Sequence, residues 1–393
     1  MASSCYETDR HCRRVASFAR RVAESMGVDP AVRDSLGCAA LEHHKFRPSR
    51  LRRTHSALAG VPGLILQTFA GAPETVDASV SLAADILRVC DTLDEALEFA
   101  VYESRTLNAA LDEFFDDGHQ WPPEVFAALR AHMQPEEKIA RGEGLPVLPA
   151  AASALLRSDP DTVSPAELAA IAERDAVLSG RLLGLANSAA LGPQLEIQSL
   201  RDAILRIGVP MAHKALVAAT LGPLFGSGSL RSLWRRSCEV AAIAHELAPE
   251  CGCDPHQAWL VGLMHDIGRL VFASGSGAAS SREEAWLREG FPLSYTETIV
   301  WGIDHAHAGA DLLASWNVPA TFVEAVRHHA APELSGSALS ALLYLAENAS
   351  ASRNYPVDLA AGFRMAKALF TTGLAPSALV SIRREAPVFA LAS

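Results

Sequence analysis

The sequence has no apolar run long enough to span a bilayer and no apolar leader at its N-terminus, so the expectation is a chain that stays in the cytoplasm. It has no CxxC pair. Its seven cysteines, at positions 5, 12, 38, 90, 238, 251 and 253, are odd in number, which argues against a disulfide framework or a thiolate zinc site. Cys38 and Cys90 lie in apolar helical surroundings and read as small core residues. Positive charge is also short: 34 Lys and Arg against 45 Asp and Glu give a net charge of −11, which excludes sequence-independent nucleic-acid binding. One stretch departs from that balance, with Lys45, Arg47, Arg50, Arg52 and Arg53 around Pro48. It reads as a solvated basic turn, the alternative being a dock for a phosphate or an acidic partner. Glycine-rich phosphate loops, a nucleophile elbow and a basic helix-turn-helix are missing, and no alternating runs joined by a tight turn suggest a β-hairpin.

What is present is helix. Alanine and leucine dominate, β-branched runs are short, and 393 residues are enough for two domains. Val15, Phe18, Ala19, Val22 and Met26 form one buried stripe of a first helix over 9–26, with the arginines on the opposite face. Asp29-Pro30, Ser164-Pro-Ala-Glu167, Ser199 and Asp254-Pro255 are helix starts, each pairing a capping side chain with a first-turn proline or acid. A second helix leads up to Glu42-His43-His44, helical periodicity returns at 83–90 and 107–115, and a longer helix spans 230–247. Further helices are expected at 305–316, 319–330, 337–351, 356–369 and 377–385, with Ser274–Ser281 a Gly/Ser loop. The fold class is all-α, in two helical modules. The segmentation is a first module over 1–133, a linker over 134–144 rich in proline, glycine and charge, a second module over 145–350, and a helical extension over 351–393.

The chemistry concentrates in histidines. His265 and Asp266 are adjacent on a helix, so their side chains diverge by roughly 100° and converge on one cation only if other helices supply ligands. Imidazole with carboxylate suits a water-activating divalent metal: Fe, Mn, Zn or Mg. Candidate partners follow at His305 and His307, His328 and His329, and Glu347, and Arg235, Arg236 and Arg269 are candidate phosphate-binding groups.

The flanking residues resemble a known family. Leu145-Pro-Val-Leu-Pro149, Arg174-Asp175, Arg181-Leu-Leu-Gly-Leu-Ala-Asn187, Asp202-Ala-Ile-Leu-Arg-Ile-Gly208, Gly262-Leu-Met-His-Asp-Ile-Gly268, His305-Ala-His-Ala-Gly309 and Ala325-Val-Arg-His-His329 resemble, in order, an HDOD domain. That is the HD-related output domain of bacterial signalling proteins. The resemblance implies an all-α domain related to HD phosphohydrolases but generally regulatory. The superfamily's metal pattern is an upstream His, the His-Asp doublet and a late Asp. Here the doublet is intact, Glu347 stands for the late Asp, and Arg235-Arg236-Ser237 stand where the upstream His is expected. A guanidinium has no lone pair to offer an ion. The N-terminal module resembles a degenerate HD or HD-GYP unit: His11 opens it, His43-His44 replaces the doublet, and Asp91 closes it. These four are a candidate second metal site.

The implied function is regulatory, through contacts with signalling proteins and without catalysis. The alternatives are a metal-dependent phosphohydrolase of nucleotides or cyclic dinucleotides, and a metal- or nucleotide-binding sensor without turnover. Neither nucleic acid nor membrane is an expected partner.

Overall fold

The computed structural model describes residues 2–45, 60–71, 76–117, 121–136, 147–188, 197–226, 228–351 and 358–381. Arg47, Arg50, Arg52 and Arg53, most of the expected linker (137–144) and everything past 381 lie outside them. The described residues contain helices and no strand, so the protein is all-α. Among them, no single helix is long and apolar enough to cross a membrane.

Side-chain caps start the helices where the sequence places them. Asp29 accepts from Ala31 N, Ser164 and Glu167 form a reciprocal capping box, Ser199 accepts from Asp202 N, and Asp254 accepts from Gln257 N. Three expectations need correction. The run Ser274–Ser281 is not a loop throughout, because Ser276 caps a helix over Gly277–Arg288, its Oγ accepting from Ala279 N. Cys38 is exposed, whereas Cys90 is buried. Arg14 does not face solvent with the other arginines of the first helix (Ala2–Ser25) but is buried, ion-paired to Asp94.

Contacts gather the chain into two compact units that are not contiguous in sequence. One comprises 1–141, 275–304 and 355–363, and the other 142–274, 305–354 and 364–393. The reason that 275–304 groups with the N-terminal residues is aromatic: Phe18 lies edge-on to Trp286 at 4.9 Å and to Phe291 at 5.0 Å, with Tyr295 and Ile299 in the same core. Residues 134–136, inside the expected linker, are tied down here as well. Glu136 N donates to Val300 O and Arg282 donates to Gln134 O.

In the second unit the helices Ser229–Leu247, Pro255–Met264, His305–Ser315, Ala320–Arg327 and Ala338–Ala349 pack around the histidine cluster described below. Gly268 sets their spacing, since a Cβ there would fall 2.0 Å from the His305 carbonyl oxygen and 2.5 Å from Gly309 N. Both obstacles are backbone, so Gly268→Ala forces the segments apart. The expected cost is about 3 kcal/mol, read as a lower urea midpoint. A midpoint equal to the parent's would show that this contact does not hold the two segments together.

Candidate metal centres

The second unit brings six of the predicted side chains to one point. His265 ends the helix Pro255–Met264, and its Nδ1 donates to Gly262 O at 2.7 Å. A carbonyl only accepts, so Nδ1 holds the proton and Nε2 turns toward Asp266 Oδ2, 3.3 Å away. His305 Nε2 lies 3.7 Å from Asp266 Oδ1 and 3.2 Å from His329 Nε2. His329 is fixed by its own Nδ1 bond to Val326 O and faces Glu347 at 4.0 Å. Two overlapping triads result, His265–His329–Glu347 and Asp266–His305–His329. The other predicted residues are not brought in. His328 pairs with Glu324 one turn back, Arg235 is exposed, and Arg269 is half-buried at the start of the short helix Arg269–Phe272.

Arg236 completes the cluster and decides its character. It is 2% exposed, hydrogen-bonds Glu347, and holds its other terminal nitrogen 3.6 Å from Asp266. Burial works against the Asp266 charge, yet Arg236 and then His265 keep its carboxyl well below the usual range. Burial, with His305 and His265 adding to it, pushes the His329 imidazole down to about 4, so it is neutral. A dication within roughly 5 Å of the guanidinium would be repelled by about 7 kcal/mol at an effective dielectric of about 20. The guanidinium thus offsets part of the attraction that Asp266 and Glu347 would exert on a cation here. The contacts of Asp266 are long, and both its oxygens lack a hydrogen bond, a deficit that a neutral donor meets without a second positive charge.

The N-terminal unit holds the opposite arrangement. His11, His43, His44 and Asp91 place one ligand atom each within 4.8 Å of one another. His11 Nδ1 donates to Asp94 at 2.7 Å and His43 Nδ1 to Ala40 O at 2.6 Å. Both Nε2 atoms consequently point inward, each 2.9 Å from Asp91 Oδ1. The His44 ring lies 4.8 Å from His11 and 4.4 Å from His43. Burial opposes charge on His11, but bonds to Asp91 and Asp94 raise it to about 9; burial likewise opposes charge on His43, which Asp91 brings to about 10. Burial and these two cations lower His44. Three imidazoles and a carboxylate, with the far ring nitrogens of His11 and His43 already held by a carboxylate and a carbonyl, fit a divalent ion such as Zn, Fe or Mn better than Mg.

Sequence reasoning missed Asp94 and Arg14. Asp94 is fully buried, accepts from His11, and takes two bonds of 2.8 Å from Arg14, whose guanidinium also reaches Glu98. The signal was available: Asp94 is three residues after Asp91 and Arg14 three after His11, each pair on one helix face. A cleft of about 640 Å³ opens beside His11 and His44, with Glu95, Phe99 and Tyr102 on its walls. Burial and neighbouring Asp91 raise the Glu95 carboxyl.

A further histidine pair in the second unit sits apart from these clusters. Burial, then His213 at 4.9 Å between rings, lowers His256 to about 4. A group depressed on folding contributes stability that is complete above its unfolded value near 6.5 and lost as pH falls towards 4. His256→Phe is expected to flatten the stability profile between pH 6.5 and 4, and an unchanged slope in urea melts would remove His256 from that account.

Residues 145–332 match the HDOD domain family. Among curated proteins, the chain is 26% identical over 196 residues to an uncharacterized protein of Treponema pallidum (strain Nichols), covering 48% of this chain and 38% of that one. It is 27% identical over 158 residues to ribonuclease Y of Opitutus terrae, covering 40% of this chain and 25% of that one. The chain thus spans well under half the length of either relative. Among solved structures, an HDOD domain protein of unknown function from Geobacter sulfurreducens shares the fold at a TM-score of 0.51 and 22% identity, over 62% of this chain and 90% of that one. A provisionally named phosphohydrolase from Shewanella amazonensis SB2B has a TM-score of 0.50 and 26% identity, over 65% and 96%. The order of motifs and the buried His265–Asp266 core agree with this match: residues 145–332 resemble the HDOD domain family.

Proposed function

We propose that this chain is a regulatory signal-output protein of the cytoplasm, whose HDOD core is a scaffold for signalling partners and performs no hydrolysis. The observation that carries this reading is Arg236, a permanent cation set between the two carboxylates on which an HD-type hydrolase would hold its ion. The likeness to the Shewanella phosphohydrolase supports a hydrolytic alternative acting on nucleotides or cyclic dinucleotides, and the buried guanidinium weighs against it.

A second reading has its own observation. His11, His43, His44 and Asp91 present four inward donors beside an open cleft, so the N-terminal unit, a diverged HD-like bundle, senses a divalent metal. Bound there, an ion would supply Lewis acidity at the cleft floor. The chain's own contribution is to aim both Nε2 atoms and to keep Asp91 ionised.

Metal content of protein purified without chelator, joined to a hydrolysis screen on nucleotides and cyclic dinucleotides, tests both readings. The expected result is metal that survives Asp266→Ala and is lost in His43→Ala, with no turnover. Turnover that disappears in Asp266→Ala would overturn the regulatory reading, and metal content untouched by His43→Ala would overturn the sensing one.

A further inference from the structure

The second unit holds a cavity of about 320 Å³ away from its histidine cluster, walled by Leu178, Leu182, Leu185, Leu216, Phe225 and Trp234. The Phe225 and Trp234 rings lie 5.3 Å apart, and Gly222 lets the indole close one wall, since a Cβ there would press on it at 3.3 Å. Two cations share this apolar lining. Arg181 and Arg231 both border the cavity, half-buried and exposed respectively. Neither guanidinium is hydrogen-bonded or ion-paired to any described residue. Arg14, Arg236 and Arg282 each have a carboxylate or a carbonyl; these two are left charged at the edge of a hydrocarbon-like space.

We propose that this cavity binds a straight-chain amphipathic anion, an alkyl carboxylate whose tail lies among the leucines and whose headgroup meets Arg181 and Arg231. Apart from the two guanidiniums, which only donate, the lining side chains are apolar, so a nucleobase would leave its own donors unpaired there. A carboxylate, by contrast, matches the planar fork of a guanidinium. Taking about 30 Å³ for each water-sized unit, the volume accommodates roughly ten methylene-sized groups. The proposal is independent of whether either histidine cluster holds an ion.

The test is calorimetric titration of the full chain with alkanoates from six to fourteen carbons, each below its micelle concentration, with decanol as the neutral control. Affinity is expected to rise about fourfold per added methylene and to level off near ten carbons, where the cavity is full. Arg181→Gln should weaken decanoate by about tenfold and leave decanol unchanged. Ala215→Trp, a half-buried lining position, should abolish both. Absence of uptake at every length, a rise with no plateau, or equal losses for acid and alcohol in Arg181→Gln would each overturn the proposal. So would capture of a second copy of the chain at this face in place of the acid. Arg181→Gln changes only a half-buried side chain at the edge of the cavity, so with the alcohol comparison it decides the matter even where Ala215→Trp does not fold.

Discussion

Arg236→Met is expected to lower the unfolding free energy by about 3–5 kcal/mol. The substitution keeps an unbranched apolar stem and removes the guanidinium with its charge and donors. What remains is a pair of buried carboxylates, Asp266 and Glu347, facing each other among imidazoles without a cation. Removing one partner of a buried pair leaves the other desolvated, and that penalty exceeds the net worth of the pair. The measurement is a urea melt with Arg236→Met set beside the triple variant Arg236→Met, Asp266→Asn, Glu347→Gln. The triple variant should recover most of the loss, because its carboxamides bury no charge. A parent-like midpoint for Arg236→Met would mean that the guanidinium does not neutralise the core. Arg236→His is the informative companion: it returns an imidazole to the position and removes the fixed charge. It is expected to gain about one equivalent of divalent metal that disappears again in the double variant with Asp266→Ala. Failure to gain metal would show that Arg236 is not what keeps a cation out.

Much of this was legible in the sequence, for identifiable reasons. Helix starts are local chemistry, so Asp29, Ser164, Ser199 and Asp254 announced themselves through the residues within three positions of each. His265 and Asp266 stood out because an adjacent pair on a helix serves one point only if distant helices converge on it, and His305, His329 and Glu347 do. The choice between His328 and His329 was not legible. It depends on how the helix Ala320–Arg327 ends, with His329 Nδ1 turned onto Val326 O and His328 turned out to Glu324. The grouping of 275–304 with the N-terminal unit was hidden for a related reason. It follows from Trp286, Phe291 and Tyr295 finding Phe18, a pairing across more than 250 residues that no periodicity encodes. Arg14 was assigned to the solvated face because charge usually lies there; burial became affordable only through Asp94, itself unrecognised.

Asp94 also yields the sharpest prediction at the N-terminal centre. On the metal-sensing reading, Asp94→Asn should weaken metal binding by about 10–100-fold, with all four donors His11, His43, His44 and Asp91 still in place. The carboxylate holds the Nδ1 proton of His11 and so fixes which nitrogen faces inward. A carboxamide can satisfy the same geometry, but it lends the ring less electron density and can also present its NH2 group. Asp94→Asn will lower stability as well, since the buried Arg14 loses its charge partner, and the affinity must be separated from that. Arg14→Met separates them: it breaks the same ion pair yet leaves Asp94 on His11, so it should lose comparable stability while its metal affinity falls far less. Binding measured by competition with a chromophoric chelator, on samples shown to be folded by circular dichroism, distinguishes the two roles. Equal losses of affinity in Asp94→Asn and Arg14→Met would reduce Asp94 to a packing residue, whereas the split assigns it to the orientation of His11.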